Sequence, residues 1–188
     1  MEKQNIQVIS LHTPRLVIRQ FCAADAEPLF RLLAAPRVHC FAGEMLASME
    51  QARQEVEKKS RVDDGSELAV CLQDGGAFIG TLFGCWEDDT FSACWNFLPE
   101  YGGKGYALEA ATAYLELLFT RLNARRIYAY VEDDNTRSQR LCEKLGMRLE
   151  GLFKEYISFV NNPDGSPHYE DTRQYAILRK EWRSKTAP

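Results

Sequence analysis

The sequence predicts a mixed α/β fold in a single domain, and three observations support this fold class. The chain has 188 residues, a length that one hydrophobic core can serve, and neither a linker nor an internal repeat divides it. Its apolar residues repeat every two positions in some segments and every three to four in others, so both strands and helices are expected. One long helical segment stands between two strand-like segments, and such a unit is expected to be parallel.

The first half of the chain predicts one strand, two helices and a three-stranded meander. Arg15–Phe21 alternates partly between apolar and polar residues and is predicted as the first strand. Helices are expected over Asp25–Ala34, which Pro36 ends, and over Ser48–Arg61. Turn-forming residues separate the three strands that follow, which favours antiparallel pairing. These strands are Glu67–Leu72, Ala77–Trp86 and Phe91–Leu98.

The second half alternates between the two patterns and ends in a hairpin. Tyr106–Leu122 has apolar residues at three- and four-residue steps, which predicts a long helix. A strand at Ile127–Val131 and a helix at Asn135–Leu145 follow, and Gly146 ends that helix. Two last strands are predicted around a turn-rich loop, at Arg148–Val160 and Tyr169–Leu178.

The composition argues against several classes of protein. A net charge of −4 does not favour nucleic-acid binding, and the chain has no run of about 20 apolar residues that would span a membrane. Because the first residues are polar, no secretory signal is expected and a cytoplasmic location is predicted. The six cysteines form no C-x-x-C pair and are interpreted as buried reduced thiols. The three histidines lie far apart, so no metal site is expected.

The segment Phe97–Ala110 joins a strand, a glycine-rich turn and a helix start. Gly102, Gly103 and Gly105 follow the strand, and the helix begins directly after them. Glycine lets the backbone approach a ligand, and the free N–H groups of a helix start attract phosphate. The segment, with Lys104 beside it, is therefore a candidate pyrophosphate site. Its spacing matches neither G-x-G-x-x-G after a first strand nor a P-loop. A purely structural glycine turn would explain the same residues.

A second informative segment, Asn135–Met147, follows the next strand. Asn135 fits a helix N-cap, and a capping role alone would explain it. Ser138 and Cys142 lie four residues apart and therefore share one face of the predicted helix.

These segments resemble motifs of the GNAT superfamily of acetyltransferases. Tyr101–Ala110 is similar to the family's pyrophosphate-binding motif, and Asn135–Met147 is similar to its second motif. Thr13–Arg19 and Tyr175–Trp182 resemble the opening and closing strands of the RimJ/RimL branch of ribosomal-protein N-terminal acetyltransferases. The resemblance covers about residues 13–182. It implies a GNAT-like single domain whose mostly antiparallel sheet contains a splayed parallel strand pair flanked by helices.

The resemblance also implies a co-substrate, acetyl-CoA, and residues that bind it without a metal. Backbone groups of Phe97 and Leu98 are expected to bind the pantetheine arm and to polarise the acetyl carbonyl, with Asn135 and Ser138 beside the arm. The pyrophosphate is expected at the loop formed by Gly102, Gly103, Lys104, Gly105, Tyr106 and Ala107. The family often has Gln or Arg at the position of Gly102.

Direct attack of a primary amine on the thioester needs a base and an acid. Glu155, on the strand after the second motif, is expected to be the base, although Glu100, Glu150 and Glu67 compete with it. Many family members have a tyrosine acid at the position of Cys142, which is either an acid or a small core residue. Ser138 is then the alternative contact to the sulfur. The three tryptophans (Trp86, Trp95 and Trp182) are interpreted as packing residues.

The acceptor is expected to lie between two loops and to be a small-molecule amine or a protein N-terminus. The loops are Pro36–Leu46, which contains His39 as a candidate substrate contact, and Asn161–His168. A homodimer is expected from the branch. Two other functions remain open: a non-catalytic CoA-binding or sensing protein, and an interaction module that binds no cofactor.

Overall fold

The computed structural model describes residues 9–186 as one eight-stranded sheet with helices on both faces. Three short 3-10 segments cover Ala23–Asp25, His39–Glu44 and Pro99–Tyr101. The strands are β1 (Ser10–His12), β2 (Leu16–Arg19), β3 (Glu67–Leu72), β4 (Phe78–Glu87), β5 (Thr90–Phe97), β6 (Arg126–Glu132), β7 (Arg148–Asn161) and β8 (Pro167–Leu178). The helices are α1 (Ala26–Leu33), α2 (Met49–Ser60), α3 (Tyr106–Thr120), α4 (Thr136–Leu145) and α5 (Arg179–Thr186).

The strands lie in the order β1-β2-β3-β4-β5-β6-β8-β7, and every neighbouring pair is antiparallel except β5 and β6. The predicted meander corresponds to β3, β4 and β5. The predicted parallel unit corresponds to β5, α3 and β6. The expected fold class, a mostly antiparallel sheet with one parallel pair and flanking helices, is confirmed.

Two clusters of buried side chains fill the two faces of the sheet. On β3, Leu68 and Val70 belong to the larger cluster with α3 and α4, whereas Ala69 and Cys71 belong to the smaller cluster with α1 and α2. This division follows the alternation of side chains along a strand that is covered on both faces. A ligand between the faces must therefore pass through the sheet itself.

The structure corrects three expectations about the chain ends and the thiols. The segment resembling a closing strand ends its strand at Leu178, and Arg179 begins α5, because the Glu181 carboxylate accepts the Leu178 N–H (2.7 Å) at the turn. The short strand β1 was missed. Among the cysteines only Cys71 and Cys142 are buried; Cys22 and Cys85 are exposed, and Cys40 and Cys94 are intermediate. No helix within residues 9–186 has the length and apolarity needed to cross a membrane.

Candidate active site

The parallel strands β5 and β6 separate halfway along their length. They pair only at Thr90 with Arg126, Phe91 with Ile127 and Ser92 with Tyr128. Beyond Ser92, β5 continues beside β4, while β6 continues beside β8 as far as Glu132. A gap therefore opens in the middle of the sheet, and the last residues of both strands form its edges.

The ladder between β4 and β5 decides which backbone groups face this gap. Leu98 donates its N–H to the Ile79 carbonyl (2.9 Å), so its backbone faces β4. Because directions alternate along a strand, the N–H and C=O groups of Trp95 and Phe97 face the gap. The Leu98 carbonyl accepts the Tyr101 N–H (3.1 Å). The expectation that Leu98 offers backbone groups to a ligand is therefore corrected. Leu98 contributes only its side chain to the cleft, and the backbone groups of Trp95 face the gap instead.

A cleft of about 690 Å³ fills the gap and reaches both faces of the sheet. On one face the cleft is bordered by the glycine-rich loop, α3 and α4; on the other it is bordered by the 3-10 segment His39–Glu44. The predicted site residues on its wall are Phe97, Leu98, Gly102, Gly103, Gly105, Ala107, Asn135 and Ser138. Residues of both sequence motifs therefore meet at one place.

The glycine-rich loop has the backbone shape that a phosphate site needs. Gly103 and Gly105 have φ values of +74° and +81°, which residues with a side chain rarely adopt. The Gly105 carbonyl accepts the first helical hydrogen bond, from the Glu109 N–H (3.1 Å), so the N–H groups of the first turn of α3 precede the helical ladder. The Gly102 N–H instead donates to the Pro99 carbonyl (2.9 Å). Gly102 thus contributes surface but no donor.

The side chains of Lys104 and Tyr106 do not line the cleft. Lys104 Nζ donates to the Glu100 carbonyl (3.1 Å) and lies 5.6 Å from the centre of the Tyr101 ring. The Tyr106 ring packs under the guanidinium group of Arg15, 4.5 Å away. Both residues were predicted to bind the co-substrate, and the structure leaves only their backbone groups for that role.

A brace from the N-terminal segment fixes the start of α3. The Glu109 carboxylate accepts hydrogen bonds from the Thr13 hydroxyl (2.6 Å), the Arg15 N–H (3.0 Å) and Arg15 Nε (2.6 Å). Arg15 also donates to the Lys104 carbonyl (2.9 Å) within the loop. Burial raises the pKa of Glu109, but the hydrogen bonds from Thr13 and Arg15 outweigh it and leave that pKa below its ordinary value. Thr13 and Arg15 therefore connect the opening segment to the glycine-rich loop.

The first turn of α4 places Ser138 in the cleft. Asn135 Oδ1 accepts the Ser138 N–H (3.1 Å), which confirms the predicted N-cap. The Ser138 hydroxyl accepts a hydrogen bond from the indole N–H of Trp95 (3.1 Å). Trp95 was interpreted as a packing residue, but it lies on the cleft wall and orients a predicted catalytic side chain.

Cys142 lies in the core and not in the cleft. It is fully buried, and burial raises the pKa of its thiol to about 12. A thiol with so high a pKa is a poor proton donor to a thiolate, whose conjugate acid is stronger. Of the two interpretations of Cys142, the structure supports the core residue and not the catalytic acid.

Three cations on α4 were missed by the sequence analysis. Arg137, Arg140 and Lys144 follow one another at three and four residues, so they lie on one face of the helix, and all three line the cleft. Their positive charge suits the phosphate groups of a co-substrate. The spacing was the available signal for them, but charged residues on a helix are more often simply solvated.

Glu132, at the end of β6, is the carboxylate of the cleft. It is only 7% exposed and accepts the Cys40 N–H (2.7 Å). Burial raises its pKa above the ordinary value, and the hydrogen bond from Cys40 lowers it in part. The sequence could have indicated Glu132 by its position after a predicted parallel strand, because ligands bind at the carboxyl ends of parallel strands.

Glu155, the predicted base, lies outside the cleft. It occupies a bulge in β7 with a φ of +47°, its side chain is exposed, and its N–H donates to Asp171 Oδ1 (2.9 Å). The competing carboxylates pair with cations elsewhere: Glu100 with Arg31, Glu150 with Arg126 and Arg148, and Glu67 with Lys59. The role assigned to Glu155 is therefore corrected, and Glu132 is the better placed group.

The two loops predicted to surround the acceptor contact each other. The ring of His39, from the first loop, packs edge-on against the ring of His168, from the second, with 5.7 Å between centroids. The first loop also contributes Cys40 and Phe41 to the cleft wall. Beside them, Tyr130 lines the cleft and contacts an exposed aromatic cluster with Phe153 and Tyr156.

Comparisons with known proteins identify this architecture. Residues 15–148 match the family described as an acetyltransferase (GNAT) domain. The chain is 35% identical over 172 residues to a Bacillus subtilis protein named uncharacterized N-acetyltransferase YnaD, which covers 90% of this chain and 97% of that protein. A spermidine N(1)-acetyltransferase of Vibrio cholerae is 32% identical over 88 residues, 47% of each chain.

A solved structure agrees with the sequence matches. The GNAT-family acetyltransferase from Bacillus anthracis superposes with a TM-score of 0.81 at 31% identity, over 92% of this chain and 100% of that one. The chain therefore belongs to the GNAT family of acetyltransferases and is an acetyl-CoA-dependent N-acetyltransferase.

Proposed function

We propose that the cleft between β5 and β6 transfers the acetyl group of acetyl-CoA to a primary alkylamine by direct attack. The observation that carries this proposal is the gap itself, which leaves backbone groups of Trp95 and Phe97 without a strand partner. An extended pantetheine arm can pair with these groups as a missing strand would. The same N–H groups are placed to stabilise charge that develops on a carbonyl oxygen in the gap.

The residues around the gap fit the phosphate end of the co-substrate. The N–H groups from Gly103 to Ala107 form a helix start with no side-chain cap, which suits a pyrophosphate. Arg137, Arg140 and Lys144 add positive charge on the opposite wall. Bound there, acetyl-CoA supplies the activated acetyl group.

Glu132 takes the proton of the acceptor ammonium in this proposal. An alkylammonium with a pKa of about 10.4 is mostly unreactive at neutral pH, so a base in the cleft accelerates attack. Burial raises the pKa of Glu132 towards the working pH, which makes it a stronger base than an exposed carboxylate. The Cys40 N–H fixes its orientation.

Ser138 assists the departing sulfur. Its oxygen already accepts the Trp95 indole N–H, so its own proton is free to point towards the thiolate. A hydroxyl donates a hydrogen bond there without losing its proton. This role replaces the tyrosine acid that the position of Cys142 lacks.

The acceptor end of the cleft favours a cationic small molecule. Tyr130 faces Tyr128, Phe153 and Tyr156 at ring distances of 5.3–6.3 Å, and aromatic faces attract alkylammonium groups. The carboxylate of Glu132 attracts the same charge. The partly matching relative from Vibrio cholerae acts on spermidine, so polyamines are the first acceptors to test, with a protein N-terminus as the alternative.

The finer expectations rest on the resemblance. We place the chain in the RimJ/RimL branch because Thr13 and Arg15, which carry part of that resemblance, brace the glycine-rich loop. A single catalytic domain, a homodimer and a cytoplasmic location complete the proposal.

Two pairs of variants test the proposed site. Ala107→Glu adds a carboxylate to the cleft wall at the first turn of α3, where an acidic residue does not weaken the helix. Calorimetry should show acetyl-CoA binding to the wild type and a loss of about 10-fold or more for this variant. Thr112→Glu, exposed on the same helix, is the matched control and should bind normally.

Glu132→Gln should lower kcat for amine acetylation by about 10²–10⁴-fold with unchanged acetyl-CoA affinity. Glu155→Gln is the matched control and should keep wild-type kcat. If acetyl-CoA binds but no amine releases free CoA, the chain is a non-catalytic CoA-binding protein. If acetyl-CoA does not bind at all, the whole proposal fails.

A further inference from the structure

Outside the proposed catalytic machinery, three side chains with metal-binding atoms converge where the two acceptor loops meet. One ring nitrogen of His39, one of His168 and a Glu170 carboxylate oxygen all lie within 4.8 Å of one another. Both imidazole nitrogens face the same oxygen, Glu170 Oε1: His39 in a close contact and His168 at 3.4 Å. Tetrahedral zinc with bonds of about 2.0–2.2 Å separates its ligand atoms by about 3.3–3.6 Å. The distance between His168 and Glu170 already has this value, whereas His39 is in closer contact with Glu170 and must move away from it to make room for the ion.

The hydrogen bonds of Asn162 determine which nitrogen of His168 carries a proton. Asn162 Nδ2 donates to the Pro167 carbonyl (3.2 Å), which can only accept, so the orientation of the amide is fixed. Asn162 Oδ1 therefore faces His168 Nδ1 (3.1 Å), and that nitrogen must be the donor. In the neutral imidazole, Nε2 then presents its lone pair to the Glu170 carboxylate.

A lone pair and a carboxylate oxygen at 3.4 Å repel unless a positive group lies between them. A proton on Nε2 relieves the repulsion, and so does a metal ion. The arrangement has the features of a metal centre, because a ligating histidine commonly donates its other N–H to an oxygen that fixes the tautomer. Asn162 has this supporting role here.

We propose that His39, His168 and Glu170 bind one zinc ion. Two imidazoles and a carboxylate are ligands that zinc prefers, and three protein ligands leave a fourth position for water. A small open cavity of about 280 Å³ borders His39 and gives room for that water. This proposal departs from the expectation of no metal site, which rested on the separation of the histidines; His39 and Glu170 are 131 positions apart along the chain.

The ion fastens the 3-10 segment His39–Glu44 to β8. This segment carries Cys40 and Phe41, which line the cleft, and the Cys40 N–H orients Glu132. The zinc ion therefore stabilises one wall of the acceptor end without touching the reacting groups. Binding of zinc is independent of acetyl transfer and is measured without either substrate.

The test is calorimetric titration of the untagged full-length protein with Zn²⁺ alone. The wild type should bind one ion per chain, and His39→Asn and His168→Asn should each weaken binding by about 100-fold or more. Asn162→Ala, which removes the supporting oxygen together with the amide donor to the Pro167 carbonyl, should weaken it by about 10–100-fold. His12→Asn is the matched control, because it replaces the one remaining histidine, at the exposed end of β1.

A second metal probe distinguishes thiolate ligands from imidazole ligands. Co²⁺ should give the visible spectrum of a four-coordinate site without a thiolate charge-transfer band, and Cys40→Ser should leave the spectrum unchanged. Circular dichroism establishes that each variant is folded. Absence of zinc binding in the wild type overturns the proposal, as does equal binding by the wild type and a folded His168→Asn variant.

Discussion

The brace on Glu109 predicts that two substitutions at one position have clearly different costs. Glu109→Ala removes the acceptor for the N–H and Nε groups of Arg15 and leaves the Thr13 hydroxyl only its longer hydrogen bond to the Leu16 carbonyl (3.4 Å). Glu109→Gln keeps one oxygen, which can still accept the Thr13 hydroxyl and the Arg15 N–H. The two variants therefore separate the hydrogen bonds from the charge.

The exposure of the two side chains determines how much each interaction contributes to the free energy of unfolding. The Arg15 side chain is 46% exposed, so its ion pair with Glu109 contributes at most about 1 kcal/mol. The two remaining bonds involve a carboxylate that is 16% exposed, and they contribute about 1 kcal/mol each. We expect the free energy of unfolding to fall by about 3 kcal/mol for Glu109→Ala and by about 1 kcal/mol for Glu109→Gln.

Urea denaturation of both variants measures these differences, and calorimetry with acetyl-CoA gives the functional consequence. Glu109→Ala should also weaken acetyl-CoA binding, because Arg15 then no longer supports the Lys104 carbonyl in the glycine-rich loop. Equal destabilisation by both substitutions would show that the charge and not the hydrogen bonds carries the brace. Losses below about 0.5 kcal/mol in both would refute the reasoning.

Three further predictions concern the core, the base and the cleft. Tyr114→Phe removes a fully buried hydroxyl that donates to the Gly65 carbonyl (2.7 Å). Urea denaturation should show that the free energy of unfolding falls by about 1–3 kcal/mol, and a smaller decrease would mean that water replaces the hydroxyl. Burial raises the pKa of Glu132, so the wild type should lose stability relative to Glu132→Gln as pH rises through the folded-state pKa. Below the unfolded-state pKa of about 4.3 the stability difference should not change with pH. Parallel stability curves of the two proteins from pH 4 to pH 8 would contradict this sign. Trp95→Phe removes the donor to Ser138 but keeps a ring, so steady-state kinetics should show a lower kcat with little change in acetyl-CoA affinity. An unchanged kcat would show that the hydrogen bond from Trp95 does not orient Ser138 for the reaction.

The parts of the site that the sequence predicted are those built from consecutive residues. The glycine-rich loop needs positive φ at Gly103 and Gly105, and only glycine adopts these values at little cost, so the residue type itself reveals the geometry. The N-cap at Asn135 is equally local, because its acceptor and the Ser138 N–H are three residues apart. Patterns of this kind predicted the long helices and most of the strands for the same reason.

The residues that the sequence misplaced depend on contacts between distant segments. Leu98 and Phe97 are adjacent, yet their backbones face opposite neighbours because Leu98 pairs with Ile79 on β4. Nothing within the segment itself determines this direction. Glu155 was placed on the correct strand, but it occupies a bulge in β7 and does not line the cleft.

The charges at the two ends of the cleft indicate from which face of the sheet each substrate enters. Arg140 and Lys144 line the cleft on α4, whereas Glu132 contacts the 3-10 segment on the other face of the sheet and borders a small cavity with Arg37 and Arg137. A co-substrate that enters with its phosphates on the first face can bring its thioester to the second only through the gap between β5 and β6. In the proposed reaction the acceptor ammonium approaches from the second face, where the Glu132 carboxylate attracts it. The early end of β5–β6 pairing at Ser92 is therefore what allows the two substrates to meet from opposite sides.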